Sequence, residues 1–191
     1  MKIILASTSP IRKQMMEDAG ISFVAVPPIC DERIIKEQKS HLNMLDLALE
    51  LGKAKAKSIS DLNPGAYVIG SDQICEFGGK AISKSKNADD AFKSLRALEG
   101  KEHRQNNGTC IYLNGECVME FKDIAVLGMK NLSDDDIMDY IKKDDPIGCA
   151  GSYKFELNGK YLFEKIEGTA ECIQGFCVSR VKEYFLKNNI I

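Results

Sequence analysis

Asp72 is the acidic residue whose place in the chain most suggests chemistry. It follows the apolar segment AYVIGS at residues 66–71, which predicts a central strand with Asp72 at its carboxyl end. Ligands bind at that end of the strands in open α/β sheets. A carboxylate there can simply form a turn, or it can join a second acid such as Glu32 to hold Mg²⁺ or activate water. Spacing alone leaves both interpretations open.

The lysine-rich segment GKAKAK at residues 52–57 places one cation differently from the others. In a helix predicted over about 42–62, Lys53 and Lys57 project to the polar side, whereas Lys55 falls on the apolar side. A lone lysine there extends to solvent, pairs with an acid or points into a cleft. The pattern does not decide among these roles.

A second group of polar residues lies where a strand predicted over residues 2–6 passes into a helix. Ser9 suits the N-cap of that helix and Pro10 its first position. The segment STSPIRK at residues 7–13 thus brings hydroxyls, backbone N–H groups and two cations to a helix N-terminus, which suits phosphate. A plain capped helix is the commoner outcome, and the glycines of a Walker loop or dinucleotide fingerprint are missing.

These residues are embedded in alternating helices and strands. Further strands are predicted over about 21–26, 104–113, 116–128, 150–157 and 160–166, and further helices over about 10–19, 87–100, 133–143 and 176–187. Asn114-Gly115 and Asn158-Gly159 are typical of hairpin turns. Because hairpins occur among the helices, we expect a mixed sheet in one α/β domain spanning residues 1–191.

Composition excludes several classes of function. The chain has 26 Lys+Arg against 28 Asp+Glu, so it lacks the basic excess of a general nucleic-acid binder. No apolar run approaches the length of a membrane helix. The seven cysteines form no C-x-x-C pair, which favours a reduced, cytoplasmic protein.

The two histidines, His41 and His103, are too few for a multi-histidine zinc site. We expect His103, which has charged neighbours, at the surface. The aspartates that follow Ser133 are expected to supply charge at a helix start rather than to bind metal. No serine has the context of a nucleophile elbow, so a Ser-His-Asp hydrolase is unsupported.

Three sequence blocks together resemble the Maf family of nucleoside triphosphate pyrophosphatases. They are LASTSPIRK at residues 5–13, VIGSDQ at 68–73 and CAGSYKFE at 149–156. Asp31-Glu32, Lys84 and FEKIEG at 163–168 extend the resemblance, in the same order, over nearly the whole chain.

This resemblance implies an elongated mixed sheet with flanking helices and two lobes around a cleft, as in inosine triphosphatases. It implies hydrolysis of the α–β phosphate bond of a small-molecule nucleotide, with Mg²⁺ or Mn²⁺, and it makes a homodimer plausible. By position, Asp72 corresponds to the general base, and Glu32 and Asp72 to metal ligands. The residues that correspond to phosphate ligands are Ser7, Arg12, Lys55 and Lys84.

Three positions bear on the choice of nucleotide. Family members that act on dTTP and UTP often carry Arg, Thr and Gln where this chain has Ile11, Gln73 and Glu156. These residues resemble the subgroup acting on 7-methyl-GTP. N7-methylation makes the guanine cationic, and a carboxylate favours that form while accepting its N–H donors.

Two alternatives remain open from the sequence. One is the same reaction on dTTP, UTP or modified pyrimidine nucleotides. The other is a nucleotide-binding protein without turnover that acts in cell-division control. It is motivated by departures from the family pattern, including alanines on both sides of Lys55, serines on both sides of Lys84, and Asn107 where a threonine is expected.

Overall fold

Seven β-strands form one mixed sheet in the computed structural model, which describes all residues 1–191. Their order is β2-β1-β3-β5-β6-β7, with β4 beside β3. Strand β1 pairs in parallel with β2 and β3, while the β3–β4 and β6–β7 pairs are antiparallel. The predicted mixed α/β sheet is therefore confirmed. The strands are β1 Ile3–Ala6, β2 Val24–Val26, β3 Tyr67–Phe77, β4 Lys80–Ala81, β5 Glu102–Leu113, β6 Glu116–Met129 and β7 Phe163–Glu167.

The helices begin where polar side chains can cap them. Ser9, Asn43, Asn87 and Ser133 each accept a hydrogen bond from a backbone N–H of the first turn. At Ser133 the exchange is reciprocal with Asp136, which confirms that this acidic run is helix-start charge. No helix has both the length and the apolar character needed to cross a membrane. The helices are α1 Pro10–Asp18, α2 Glu32–Gln38, α3 Met44–Ser60, α4 Ala88–Leu98, α5 Asp134–Asp144, α6 Ala170–Ile173 and α7 Val178–Lys187.

The chain divides into two compact units. The first comprises residues 1–73, 107–123 and 175–191, and the second comprises residues 74–106 and 124–174. The core of the first unit contains buried apolar side chains from β1, β3, β5 and α3, among them Ile4, Ala56, Val68 and Cys110. The second unit buries Leu95, Leu98, Leu127, Met129 and Ile137.

Helix α3 lies unusually close to the strands beneath it because glycines occur at the contact. A Cβ atom at Gly70 of β3 would lie 2.2 Å from the carbonyl oxygen of Gly52 in α3. A Cβ at Gly108 of β5 would lie 2.2 Å from the backbone nitrogen of Leu49. No other residue fits at these two strand positions without moving the helix.

The prediction that the central strand ends before Asp72 is wrong. Strand β3 continues through Asp72 to Phe77, so the carboxylate projects from the middle of a strand. An acid that follows an apolar strand can form a turn, but Asp72 is accommodated within the sheet, where Lys55 pairs with it. The low strand propensity of aspartate is outweighed here by a tertiary contact.

The second predicted hairpin is also wrong, whereas the first is confirmed. Asn114 and Gly115 have φ values of 53° and 80° between β5 and β6, as a two-residue hairpin turn requires. Residues 150–157 instead form turns, in which the Gly159 N–H donates to the carbonyl of Lys154 at 3.0 Å. Gly159 then begins a 3₁₀ helix that leads into β7.

Helix α2 was not predicted, and β2 is shorter than expected.

Candidate active site

Two carboxylates of the first unit converge on one buried ammonium group. The Nζ atom of Lys55 lies 2.5 Å from Oδ1 of Asp72 and 3.0 Å from Oε1 of Glu32. Lys55 is only 7% exposed and Asp72 only 8%. The helical projection that placed Lys55 on the inner side of α3 is thus confirmed, and the acidic partners explain why a lysine is tolerated there.

Three elements bring this cluster together. Asp72 comes from β3 and Lys55 from α3, which the glycine contacts hold close to the strand. Glu32 is the first residue of α2, whose N-cap Asp31 accepts hydrogen bonds from two backbone N–H groups. The contacting oxygens of Glu32 and Asp72 both touch one nitrogen, so they are separated by no more than the sum of those two contact distances.

Arg12 of α1 faces the same acids. Its Nε donates to the carbonyl of Gly175 at 3.0 Å and its Nη1 to that of Ser71 at 2.8 Å. Burial lowers the pKa of Arg12, while Asp72 and Glu32 raise it. Two cations and two anions give this cluster no formal net charge.

Ser7 and Ile11 lie at the junction of β1 and α1. Ser7 is 5% exposed, and its Oγ accepts a hydrogen bond from the N–H of Ser9 at 3.1 Å. Ile11 occupies the first turn of α1 and is half-buried. The predicted passage from a strand into a capped helix is therefore present.

The side chains of this cluster suit a hard divalent cation. Carboxylate oxygens from Glu32 and Asp72 are the ligands that Mg²⁺ and Mn²⁺ prefer. No group of three potential metal-ligating side chains is present in the chain. Mg²⁺ is commonly held by one or two carboxylates, with waters and substrate phosphates completing its shell, and this donor set fits that pattern.

The charged groups of this cluster act on the thiol of Cys30. Burial raises the pKa of its thiol, with Lys55 opposing this shift and Glu32 and Asp72 adding to it.

Gln73 follows Asp72 and projects from the opposite face of β3. A Cβ atom on Gly175 would come within 3.0 Å of its Oε1, so the amide packs directly against that glycine. The φ angle of Gly175 is 89°, in the left-handed region that favours glycine.

The two remaining candidate residues, Lys84 and Glu156, belong to the second unit. Both side chains are exposed. Both charges act on the thiol of Cys149. Burial raises the pKa of this thiol. Lys154 and Lys84 oppose that shift, and Glu156 adds to it. The charges of Lys84 and Glu156 therefore both act on the Cys149 thiol, with opposite sign.

His103 does not lie at the surface, contrary to expectation. It is 2% exposed, and its Nε2 lies 2.8 Å from the hydroxyl of Tyr153. Burial lowers its pKa to about 4, so the ring is neutral at physiological pH. Alternation along β5 was the available signal, because His103 and Gln105 share the buried face while Glu102 and Arg104 are exposed.

Sequence reasoning missed a buried polar group beside Asp72. Asn107 and Thr109 of β5 are both fully buried and contact Ser71 of β3. The polar run Asn106-Asn107-Gly108-Thr109, set within an otherwise apolar strand, could have indicated it.

Fold and site together define an α/β protein whose clustered carboxylates and basic residues suit a polyanionic ligand and a divalent cation. The family model "Maf-like protein" matches residues 2–188. The chain belongs to the Maf family.

The relatives found by sequence comparison are named as enzymes of one class. A protein of Legionella pneumophila named nucleoside triphosphate pyrophosphatase is 34% identical over 91% of this chain and 86% of its own length. One of Pelagibacter ubique with the same name is 34% identical over 96% of both chains. A protein of Rhizobium etli named 7-methyl-GTP pyrophosphatase is 38% identical over 91% of this chain and 89% of its own length.

Solved structures with a related fold are more distant. The Ham1 protein of Staphylococcus aureus has a TM-score of 0.45 and 14% identity over 84% of this chain and 90% of its own. A HAM1 protein of Coxiella burnetii has a TM-score of 0.44 and 16% identity over 68% of this chain and 73% of its own. At this distance no feature of their sites is transferred.

Proposed function

We propose that this chain is a nucleoside triphosphate pyrophosphatase that prefers 7-methyl-GTP. The enzyme class follows from membership of the Maf family and from the curated relatives. The observation that carries the proposal is the convergence of Asp72 and Glu32 on the buried ammonium of Lys55. Charged groups are rarely buried unless they are paired, and such clusters concentrate at functional sites.

Charge balance supports a metal-assisted reaction. The cluster of Arg12, Lys55, Glu32 and Asp72 has no formal net charge, whereas a nucleoside triphosphate brings about four negative charges. A divalent cation held by Glu32 and Asp72 supplies Lewis-acid polarisation of phosphate oxygens when bound. Together with the basic side chains it offsets the charge of the triphosphate.

Besides pairing with Asp72, Lys55 binds phosphate oxygens when substrate is present. In the structure its ammonium pairs with Asp72 at 2.5 Å. A triphosphate competes for that ammonium, and transfer of Lys55 to phosphate oxygens frees Asp72 to accept a hydrogen bond from water. Asp72 then orients the water, or removes its proton, for attack at the α phosphorus. The products are the nucleoside monophosphate and pyrophosphate.

Ser7, Arg12 and Lys84 complete the proposed phosphate ligands. Ser7 lies beside the N-terminus of α1, where backbone N–H groups favour anions. Arg12 commits Nε and Nη1 to two backbone carbonyls, so Nη2 is the part of its guanidinium offered to phosphate. Lys84 is exposed and can reorient toward a polyanion.

The preference for 7-methyl-GTP rests on Glu156 and Gln73. The exposed carboxylate of Glu156 favours a cationic purine over a neutral one, because methylation at N7 adds a positive charge. The Gln73 amide can donate to and accept from a base edge. The Rhizobium etli relative named for this substrate supports the same choice.

Pyrophosphate release measured side by side from 7-methyl-GTP, GTP, UTP and dTTP, with Mg²⁺, tests the proposal. We expect kcat/KM to be highest for 7-methyl-GTP. If UTP or dTTP is preferred, the specificity is wrong and the reaction stands. If nucleotides bind but none yields pyrophosphate at any Mg²⁺ or Mn²⁺ concentration, the proposed reaction itself is wrong.

A further inference from the structure

The polar network beside Asp72 is enclosed within the first unit. Its members are Ser71 of β3 and Asn107 and Thr109 of β5, which are at most 1% exposed. The Nδ2 of Asn107 donates to the carbonyl oxygen of Asp72 at 3.1 Å and to Oγ of Ser71 at 3.3 Å. Asn107 thus holds the main chain of the residue proposed as the base.

Hydrogen-bond accounting fixes the orientation of the Asn107 amide. The carbonyl of Asp72 can only accept, so it requires the NH₂ group of Asn107 rather than its oxygen. Thr109 Oγ1 lies 2.9 Å from Oγ of Ser71 and 3.1 Å from the remaining Oδ1 of Asn107, and its single proton can be donated to either. Ser71 Oγ accepts from Asn107 and donates to the carbonyl of Gly175 at 3.2 Å. Each of the three side chains therefore makes at least two buried polar contacts, which restricts its motion.

The network also includes the carbonyl of Gly175, the glycine that packs against the side chain of Gln73. The carbonyl of Gly175 accepts from Ser71 Oγ and from Nε of Arg12. Gly175 in turn packs against the amide of Gln73. The segments that carry Asp72 and Gln73 are consequently tied to one set of buried bonds.

We infer that Asn107 is a positioning residue that holds the main chain at Asp72 and so sets the direction of its carboxylate. This inference rests on the proposed function, in which Asp72 touches water and metal. An asparagine at the position expected to hold threonine is then a functional replacement, because its amide supplies two donors where a threonine hydroxyl supplies one. A misplacement of about 1 Å in a catalytic group can cost about 10²-fold in rate.

Asn107→Leu tests the inference, since leucine has similar volume and no donor. We expect kcat to fall by about tenfold to about 10²-fold with KM nearly unchanged. The loss should be equal for all triphosphates that the wild-type protein hydrolyses, because they share Asp72. Asn107→Asp is the second variant, since it keeps the shape but puts an acceptor against the carbonyl of Asp72, and it should lose at least as much.

Thr109→Val is the matched control. It removes a buried hydroxyl from the same network but leaves the bond between Asn107 and Asp72 in place. We expect its kcat to fall by less than about threefold, although its stability falls comparably. Equal losses of kcat in Thr109→Val and Asn107→Leu, in proportion to their losses of stability, would overturn the positioning role.

Hydrogen exchange separates failure of this inference from failure of the proposed function. Exchange in the segment Ser71–Gln73 should be faster in Asn107→Leu than in the wild type, and should change less in Thr109→Val, which keeps the bond to the Asp72 carbonyl. This measurement does not depend on turnover. Unchanged exchange in both variants refutes the inference even if the wild-type protein hydrolyses triphosphates, whereas faster exchange in a protein without turnover refutes only the proposed reaction.

Discussion

The buried cluster around Lys55 in the first unit and the buried cluster around Tyr153 in the second unit differ in charge. In the first unit, Lys55 and Asp72 form an ion pair that Glu32 joins from the surface. In the second unit, the hydroxyl of Tyr153 bonds the side chains of His103 at 2.8 Å and Gln105 at 2.6 Å, and all three are neutral. Burial lowers the pKa of His103 to about 4 and raises that of Tyr153 well above its usual value.

The difference in charge supports the proposal that the first cluster is functional and the second structural. Taking two charges out of water costs several kcal/mol per ion, and apolar replacements of such pairs are often no less stable. A buried ion pair is therefore weak evidence for stability, and stability alone does not account for the burial of Lys55 and Asp72. The neutral cluster instead packs Tyr153 against Phe163, with ring centroids 4.9 Å apart, and fixes one arrangement of the core.

Replacing the base should have the largest effect. Asp72→Asn keeps the shape but removes the carboxylate, so we expect kcat/KM to fall by about 10³-fold, or ~4 kcal/mol. Pyrophosphate release at saturating Mg²⁺ measures it, and circular dichroism checks the fold. An activity within tenfold of the wild type would show that Asp72 is not the general base. The proposed functional difference between the charged and the neutral cluster would then be wrong.

Lys55→Ala and Lys53→Ala form a matched pair on one helix. Lys55 is buried with Asp72, whereas Lys53 pairs with Glu120 at 2.6 Å on the outer side. We expect Lys55→Ala to lower kcat/KM by about 10²-fold and Lys53→Ala by less than twofold. Steady-state kinetics on both variants decides it, and similar losses would mean that burial of Lys55 is structural.

The neutral cluster should appear in the pH dependence of stability. In the unfolded chain His103 binds a proton near pH 6.5, but in the fold only near pH 4. The unfolded state therefore binds more protons in this window, and stability is lost as pH falls from 6.5 toward 4. Between pH 7 and 5, urea unfolding of the wild type should lose about 2 kcal/mol more than that of His103→Gln. Parallel pH profiles would show that His103 is not the group responsible.

The smallest effect concerns substrate choice. Glu156→Gln removes a negative charge but keeps the acceptor, so the ratio of kcat/KM for 7-methyl-GTP over GTP should fall about tenfold, or ~1.4 kcal/mol. Glu116→Gln, an exposed change at the start of β6, is the control and should leave the ratio unchanged. An unaltered ratio in Glu156→Gln would show that another residue recognises the methylated base.

The inward position of Lys55 and the capped start of α1 could be predicted because both depend on local periodicity and capping. The continuation of β3 through Asp72 could not, since aspartate has a low strand propensity and its ion pair with Lys55 is a tertiary contact that local patterns do not specify. Burial of His103 escaped prediction because the charged residues around it alternate outward along the strand. The Asn107 network depends on β5 lying beside β3, a pairing between distant segments that local sequence patterns do not specify.

The glycines beneath α3 extend the site beyond the residues that carry charge. Any side chain at Gly70 or Gly108 would lift the helix and withdraw Lys55 from Asp72, although both glycines are buried beneath α3 and carry no side chain of their own. A random screen for inactive variants would therefore return these glycines beside the acids and lysine. In a redesign for a different nucleotide, they belong with the residues left untouched.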